Sequence, residues 1–188
     1  MYFPWIGIFE QMALADSFIH YDDVRFPQGR SFISRVKITD SSKSMWLTVP
    51  TLKNGRQNIN QVKVDYKQRW QNKHLNSLAH CYAKSPFKDE MMSLVENVLS
   101  YKDPNLARLN IRALEAVADY FELGTSTLCS SSWASQSSSS QRLIELVKSC
   151  KGTEYITGHG AKNYLDHAKF EENEITVNYM DYKNLTYP

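Results

Sequence analysis

Apolar residues recur at helical spacing in six stretches of the chain and alternate with polar ones in seven others. The helical set begins with Pro4 to Leu14, where Ile8, Met12 and Ala15 fall on one stripe behind a proline near the start. Three longer stretches follow in the middle. Gln68 to Ala83 carries Trp70, Leu75, Leu78 and Ala79; Lys88 to Leu99 carries Met91, Met92, Leu94, Val95 and Val98; Asn105 to Phe121 carries Leu106, Leu109, Leu114, Val117 and Phe121. Pro86 separates the first two and Pro104 opens the third. Strands are predicted for Ser17 to Tyr21, Phe32 to Ile38, Met45 to Val49 and Ile59 to Val64, where β-branched and aromatic residues recur between turn-forming clusters.

After Gly124 the rhythm becomes strand, helix, strand, helix, strand: Thr125 to Cys129, Gln141 to Cys150, Glu154 to Thr157, Ala161 to Phe170 and Ile175 to Tyr179. Such alternation predicts an α/β fold, a single three-layer α/β/α domain over residues 1–188 with a mostly parallel sheet. Ligands of such sheets bind beyond the carboxyl ends of the strands, here at Ser130 to Ser140 and Gly158 to Gly160. Nine serines crowd Ser126 to Gln141, so about 126–140 is expected to be a mobile loop too polar to pack.

With 188 residues, 42% hydrophobic and 22% charged, the chain falls in the globular class. No apolar run approaches the ~20 residues of a membrane span, and Met1 is followed by aromatics rather than a basic leader, so neither a transmembrane segment nor a secretory signal is expected. Cys81, Cys129 and Cys150 are widely spaced and odd in number, which suits free thiols and a cytoplasmic location. Charge changes the picture more. Eleven basic residues face four acidic ones between His20 and Leu75, while the rest of the chain has an excess of five acids. Such a split suits an anionic small ligand, a nucleotide sugar or other phosphorylated molecule, or else a solvated strand surface. The aromatic and glycine signatures of a nucleic-acid module are missing, so no nucleic-acid partner is expected.

Three strings could carry chemistry. In Phe18-Ile19-His20-Tyr21-Asp22-Asp23, strand alternation would turn His20 and Asp22 to one face, as a carboxylate-oriented general base requires. Asp22 and Asp23 could instead meet a hard cation with substrate phosphates, or simply end the strand in an Asx-type turn. In Trp70-Gln71-Asn72-Lys73-His74, Trp70 and His74 share a helix face with Lys73 alongside, either a platform for a sugar or base and its phosphate or a core tryptophan with solvated neighbours. In Tyr155-Ile156-Thr157-Gly158-His159-Gly160-Ala161 a strand meets a helix through glycines, whose N–H groups could bind an anion or whose freedom merely permits the turn. No metal site is expected, and no particular cofactor is indicated.

Taken together, the strings Tyr2-Phe3-Pro4-Trp5-Ile6-Gly7-Ile8-Phe9, Asp16 to Asp23, Trp46-Leu47-Thr48-Val49-Pro50, Trp70 with Lys73-His74, Asn110, Arg142-Leu143-Ile144, Tyr155-Ile156-Thr157-Gly158 with Gly160, Tyr164-Leu165-Asp166 and Tyr187-Pro188 resemble the WbqC-like protein family in order and over almost the whole chain. The resemblance implies a bacterial protein of O-antigen-type surface-polysaccharide biosynthesis, acting on nucleotide-activated or lipid-linked amino sugars. Acyl or aminoacyl transfer is the reaction to test first. A noncatalytic glycan-binding or assembly factor for a glycosyltransferase complex is the rival. On the transferase reading His20 is the base and Asp22 its orienter, with Asp23 and Trp70 at the substrate. Arg35, Lys73 and His74 neutralise phosphate, and Gly158, His159 and Gly160 form an anion-binding turn. Two departures stand out. The family's short apolar strand with its Gln-Pro pair before the aromatic segment is not seen ahead of Tyr2, so a central strand is expected to be missing, and Ser34 replaces a polar amide beside Arg35.

Overall fold

The computed structural model describes residues 1–39, 43–52 and 54–183. Asp40 and Lys53, counted in the charge balance, and the closing Tyr187-Pro188 lie outside the described residues. In chain order the elements are α1 (Gly7–Ala13), β1 (Ser17–His20), β2 (Arg35–Thr39), β3 (Ser44–Thr48), β4 (Thr51–Leu52), β5 (Lys63–Val64), α2 (Trp70–Cys81), α3 (Lys88–Ser100), α4 (Leu106–Tyr120), β6 (Ser126–Cys129), α5 (Ser139–Ser149), β7 (Glu154–Thr157), α6 (His167–Glu172) and β8 (Thr176–Tyr179). They gather into two compact units. Unit 1 holds Met1–Pro4 and Asp22–Glu122; unit 2 holds Trp5–Tyr21 and the chain from Leu123 onward.

Unit 1 is built from antiparallel pairs and helices. β2 and β3 pair from Arg35↔Thr48 to Thr39↔Ser44. Paired residues share a sheet face, so Ile38 and Leu47 turn inward and are buried, while Lys37 and Trp46 stand on the other face. α3 packs against both α2 and α4. The main core draws Tyr2, Val49, Val62, Trp70, Leu106 and Leu109 together, each large aliphatic contributing about 1.5–3 kcal/mol by leaving water. α4 starts where the Asn105 side chain accepts the Arg108 N–H, 3.1 Å away, which satisfies one orphan donor of the first turn. The expected strand from Ile59 to Val64 shrinks to β5. Asn58 and Gln61 form a capping box that bends Ile59–Gln61 into a 3-10 turn, while Ile59, Val62 and Val64 still reach the core.

Unit 2 is discontinuous, because residues 22–122 intervene between β1 and β6. Those strands nevertheless pair in parallel, Ser17↔Ser126 through His20↔Cys129. β7 and β8 pair likewise, Glu154↔Thr176 through Thr157↔Tyr179, joined by a crossover that contains α6. A small core of Ile144, Val147, Ala161, Leu165, Phe170 and Ile175 lies beneath. Gly7 keeps the start of α1 open, since a Cβ there would collide with the Trp5 ring.

The fold is therefore α/β, with parallel strands confined to unit 2 and four two-stranded sheets among the described residues in place of one continuous sheet. The serine-rich stretch, expected as a loop too polar to pack, has regular structure. It contains β6, a 3-10 turn at Ser130–Ser132 and the start of α5. The buried Arg142 guanidinium donates to the Ser130 and Trp133 carbonyls at 2.8 and 2.7 Å, and Ser135 and Ser137 donate to the two Glu145 oxygens at 2.6 Å. The single helix expected from Ala161 to Phe170 is also divided. A 3-10 turn covers His159–Asn163, and α6 begins only where the Asp166 side chain caps it.

Candidate functional site

In unit 1 the first turns of α2 set Trp70 and His74 four residues apart on the inward face. Both are buried, His74 to 2% exposure. The Trp70 ring lies edge-on to His74 at 5.1 Å and to Tyr2 at 6.3 Å. The Tyr2 hydroxyl is 2.9 Å from His74 Nδ1, and the imidazole also bonds the Thr48 carbonyl. A carbonyl takes only a donated proton, so the nitrogen facing Thr48 is protonated and Nδ1 accepts from Tyr2. Burial drives the His74 pKa down to about 4, the Thr48 carbonyl opposes the shift, and the Lys73 charge adds to it. Burial likewise pushes the Tyr2 phenol far above its usual range.

These facts revise two expected roles. His74 is neutral at pH 7 and gives no charge to a phosphate; it ties Tyr2 to the end of β3. Trp70 is a core residue whose ring is enclosed by Tyr2, Tyr66 and His74, so it offers no open stacking face. Lys73 is exposed on the same helix.

Arg35 opens β2 opposite Thr48, one strand pairing from His74. Its guanidinium lies 3.9 Å from the Trp46 ring centroid, and Trp46 leans on the exposed Phe32 at 5.5 Å. Arg35 Nε is buried without a partner. Nearby in the chain, Asn110 of α4 donates to the Ile33 carbonyl at 2.8 Å, while its Oδ1 is also buried and unpartnered. Trp70 Nε1 and Arg112 Nε are likewise buried without a partner. Buried polar atoms normally find partners, so Arg35 opposite Thr48, Trp70 beside His74 and Asn110 on Ile33 each carry unmet hydrogen-bonding capacity.

Asp22 is buried, its Oδ2 accepting from Asn60 Nδ2 at 3.4 Å and its backbone carbonyl from Asn60 N–H at 2.9 Å. Asp23 follows, half-buried. In unit 2, His20 is the last residue of β1, buried, with its ring edge-on to Phe18 at 5.3 Å. Since β1 ends there, strand alternation does not fix the direction of Asp22, and the two residues fall in different units. The turn at Gly158, His159 and Gly160 leads into a five-residue 3-10 helix, too short to supply the helix dipole that the sequence suggested. A Cβ at Gly160 would meet nothing within 4 Å.

The structure thus joins Arg35, Trp70 and His74 in one neighbourhood, while Gly158, His159 and Gly160 belong to a separate one. Sequence reasoning missed Tyr2 and Trp46 as parts of the first, and Tyr179 and His167 in the second. Tyr179 stacks on His159 with centroids 5.6 Å apart, and its hydroxyl is 3.0 Å from His167 Nε2. Tyr2 lies 72 positions from His74, so no local pattern could have paired them. Among the described residues, no His, Cys, Asp and Glu side chains are grouped as a metal ion would need, and no helix is long and apolar enough to cross a membrane.

The model of the WbqC-like protein family matches residues 1–188. A Mycobacterium tuberculosis protein described as "Uncharacterized protein Rv1507c" is 33% identical over 186 residues, covering 96% of this chain and 79% of that protein. No solved structure is significantly similar. A match along the entire chain means that the chain belongs to the WbqC-like protein family.

Proposed function

We propose that this protein works in bacterial surface-polysaccharide biosynthesis of the O-antigen type, as a transferase on a nucleotide-activated or lipid-linked amino sugar, with acyl or aminoacyl transfer as its reaction. Family membership supports the setting. The observation that carries the site is Arg35: its guanidinium is stacked on Trp46, makes no ion pair among the described residues, and keeps a buried Nε unpartnered. A planar cation held flat against an indole keeps its fork free for a phosphate or carboxylate. By strand register Lys37 stands on the same face, which adds positive charge. In this reading Arg35 and Lys73 hold the phosphate and Asp23 contacts the sugar, all three within unit 1.

The test pairs turnover with folding. Arg35→Gln and Lys73→Gln are each expected to lower turnover of an acyl donor with an amino-sugar nucleotide by about tenfold or more, with the melting midpoint little changed. Full activity in both would remove the phosphate-binding assignment.

A second reading, a noncatalytic glycan-binding or assembly factor, draws on the exposed aromatics Phe32 and Trp46 beside Arg35. It requires saturable glycan binding with no turnover of any activated donor.

A further inference from the structure

Phe32 stands out among the exposed aromatics of unit 1, because its backbone is fixed while its ring is exposed. Its carbonyl accepts the Tyr2 N–H at 2.9 Å. The turn around it is closed by Ser34 N–H donating to the Ser31 carbonyl at 3.3 Å and Ile33 N–H donating to Ser31 Oγ at 3.1 Å. Ile33, the next residue, packs on the main core. The Phe32 ring is instead 58% exposed and leans on the exposed Trp46, with their planes 54° apart. Two adjoining rings on a fixed backbone make a contiguous aromatic surface, which marks a binding site more than a stray surface residue does. The surroundings are polar and cationic. Register places Arg35 with Thr48, Lys37 with Trp46 and Thr39 with Ser44 on one face of the β2–β3 pair. Arg25, Arg30, Arg35, Lys37 and Lys43 fall between Val24 and Thr48, where the described residues include no acid. The Arg35 guanidinium lies over the same indole that Phe32 leans on, and Lys37 follows about 7 Å along the strand at the usual rise per residue.

We propose that Phe32 is the stacking platform for the base of a nucleoside diphosphate, with Arg35 and Lys37 meeting its two phosphates. This assignment rests on Arg35 as the phosphate contact of the proposed transferase and narrows the substrate, choosing the nucleotide-activated form of the sugar over the lipid-linked one. Three features single out that ligand. A base brings a flat π face to the exposed ring, and such stacking tolerates any base. Two cations in series along one strand match two phosphates in series, and a guanidinium laid flat on an indole still presents its outer N–H groups to one of them. A polyprenyl chain needs apolar surface beside its diphosphate, whereas the neighbours of Arg35 and Lys37 on this face include Thr39, Ser44 and Thr48, all exposed. Trp46 touches both Phe32 and Arg35 and holds them relative to one another, so less ordering is left to binding.

Calorimetric titration of the full chain with uridine, guanosine and thymidine diphosphates, their monophosphates, inorganic pyrophosphate and farnesyl diphosphate provides the test. At least one nucleoside diphosphate is expected to bind at least about tenfold more tightly than pyrophosphate or farnesyl diphosphate. Phe32→Ala should remove that advantage, weakening the nucleotide about tenfold while pyrophosphate affinity and the melting midpoint stay as they were. Phe32→Tyr, which keeps a ring, should retain it. Lys37→Gln should weaken the diphosphate at least about threefold and the monophosphate little. Nucleotides no tighter than pyrophosphate, or indifferent to Phe32→Ala, would overturn the base platform and leave Arg35 as an anion contact. Farnesyl diphosphate binding as tightly as any nucleotide would overturn it in favour of a lipid-linked substrate. Absence of binding by every diphosphate would overturn the platform and the Arg35 reading together.

Discussion

Units 1 and 2 each contain two pairs of strands, yet they complete their hydrogen bonding in opposite ways. In unit 1 the pairs are antiparallel and β2 and β3 are close in sequence, so the short elements are finished locally and capped by helices. Among the described residues, buried side-chain atoms of Arg35, Trp70, Asn110 and Arg112 have no hydrogen-bond partner there. In unit 2 the pairs are parallel, β1 and β6 are brought together from either side of residues 22–122, and backbone edges face a cavity. Unmet side-chain capacity inside a packed unit suits recognition of a small polar ligand.

The largest expected effect tests how thinly unit 2 is held. Phe170 is 1% exposed at the centre of its small cluster and stacks on Tyr155 at 5.5 Å. Phe170→Ala should cost about 3–5 kcal/mol in denaturant unfolding and speed amide exchange throughout β7 and β8. A cost under about 1 kcal/mol would mean that this cluster is not the core of the unit.

The next effect belongs to unit 1 and to pH. An unfolded chain binds a proton at His74 near 6.5, whereas the folded one does so only near 4. Between those values the unfolded state takes up more protons, so the His74 contribution is complete above about pH 6.5 and is lost as pH falls toward 4. The shift corresponds to about 3 kcal/mol at the outside. His74→Gln should flatten this stretch of the stability profile, and an unchanged slope would contradict a buried neutral imidazole. Tyr2→Phe leaves Nδ1 buried without its donor and should cost about 1–3 kcal/mol at neutral pH. The smallest effect is Asn105→Ala at the start of α4, about 1 kcal/mol with the core untouched.

How much of this was legible beforehand follows the same division. α3 and α4 were readable to within a residue or so, because a long amphipathic run between Pro86 and Pro104 and another after Pro104 leave little choice. β2 and β3 were readable from β-branched and aromatic alternation. The serine-rich stretch was not, since its order comes from Arg142 reaching back to Ser130 and Trp133, contacts that composition does not record. Of the candidate site, Arg35 was singled out by the family resemblance and Trp70 with His74 by helical spacing. Their burial was not visible, and it reversed what His74 can do. The His20 and Asp22 pairing rested on a strand that ends at His20.

The central claim is that Arg35 holds the anionic part of an activated sugar. Calorimetric titration of the full chain with nucleotide-activated amino sugars, repeated on Arg35→Gln, tests it directly. The account predicts saturable binding that weakens at least about tenfold in the variant, as expected for losing a charge-assisted bidentate contact. Binding of equal strength in both proteins, or none to any such compound, would contradict it.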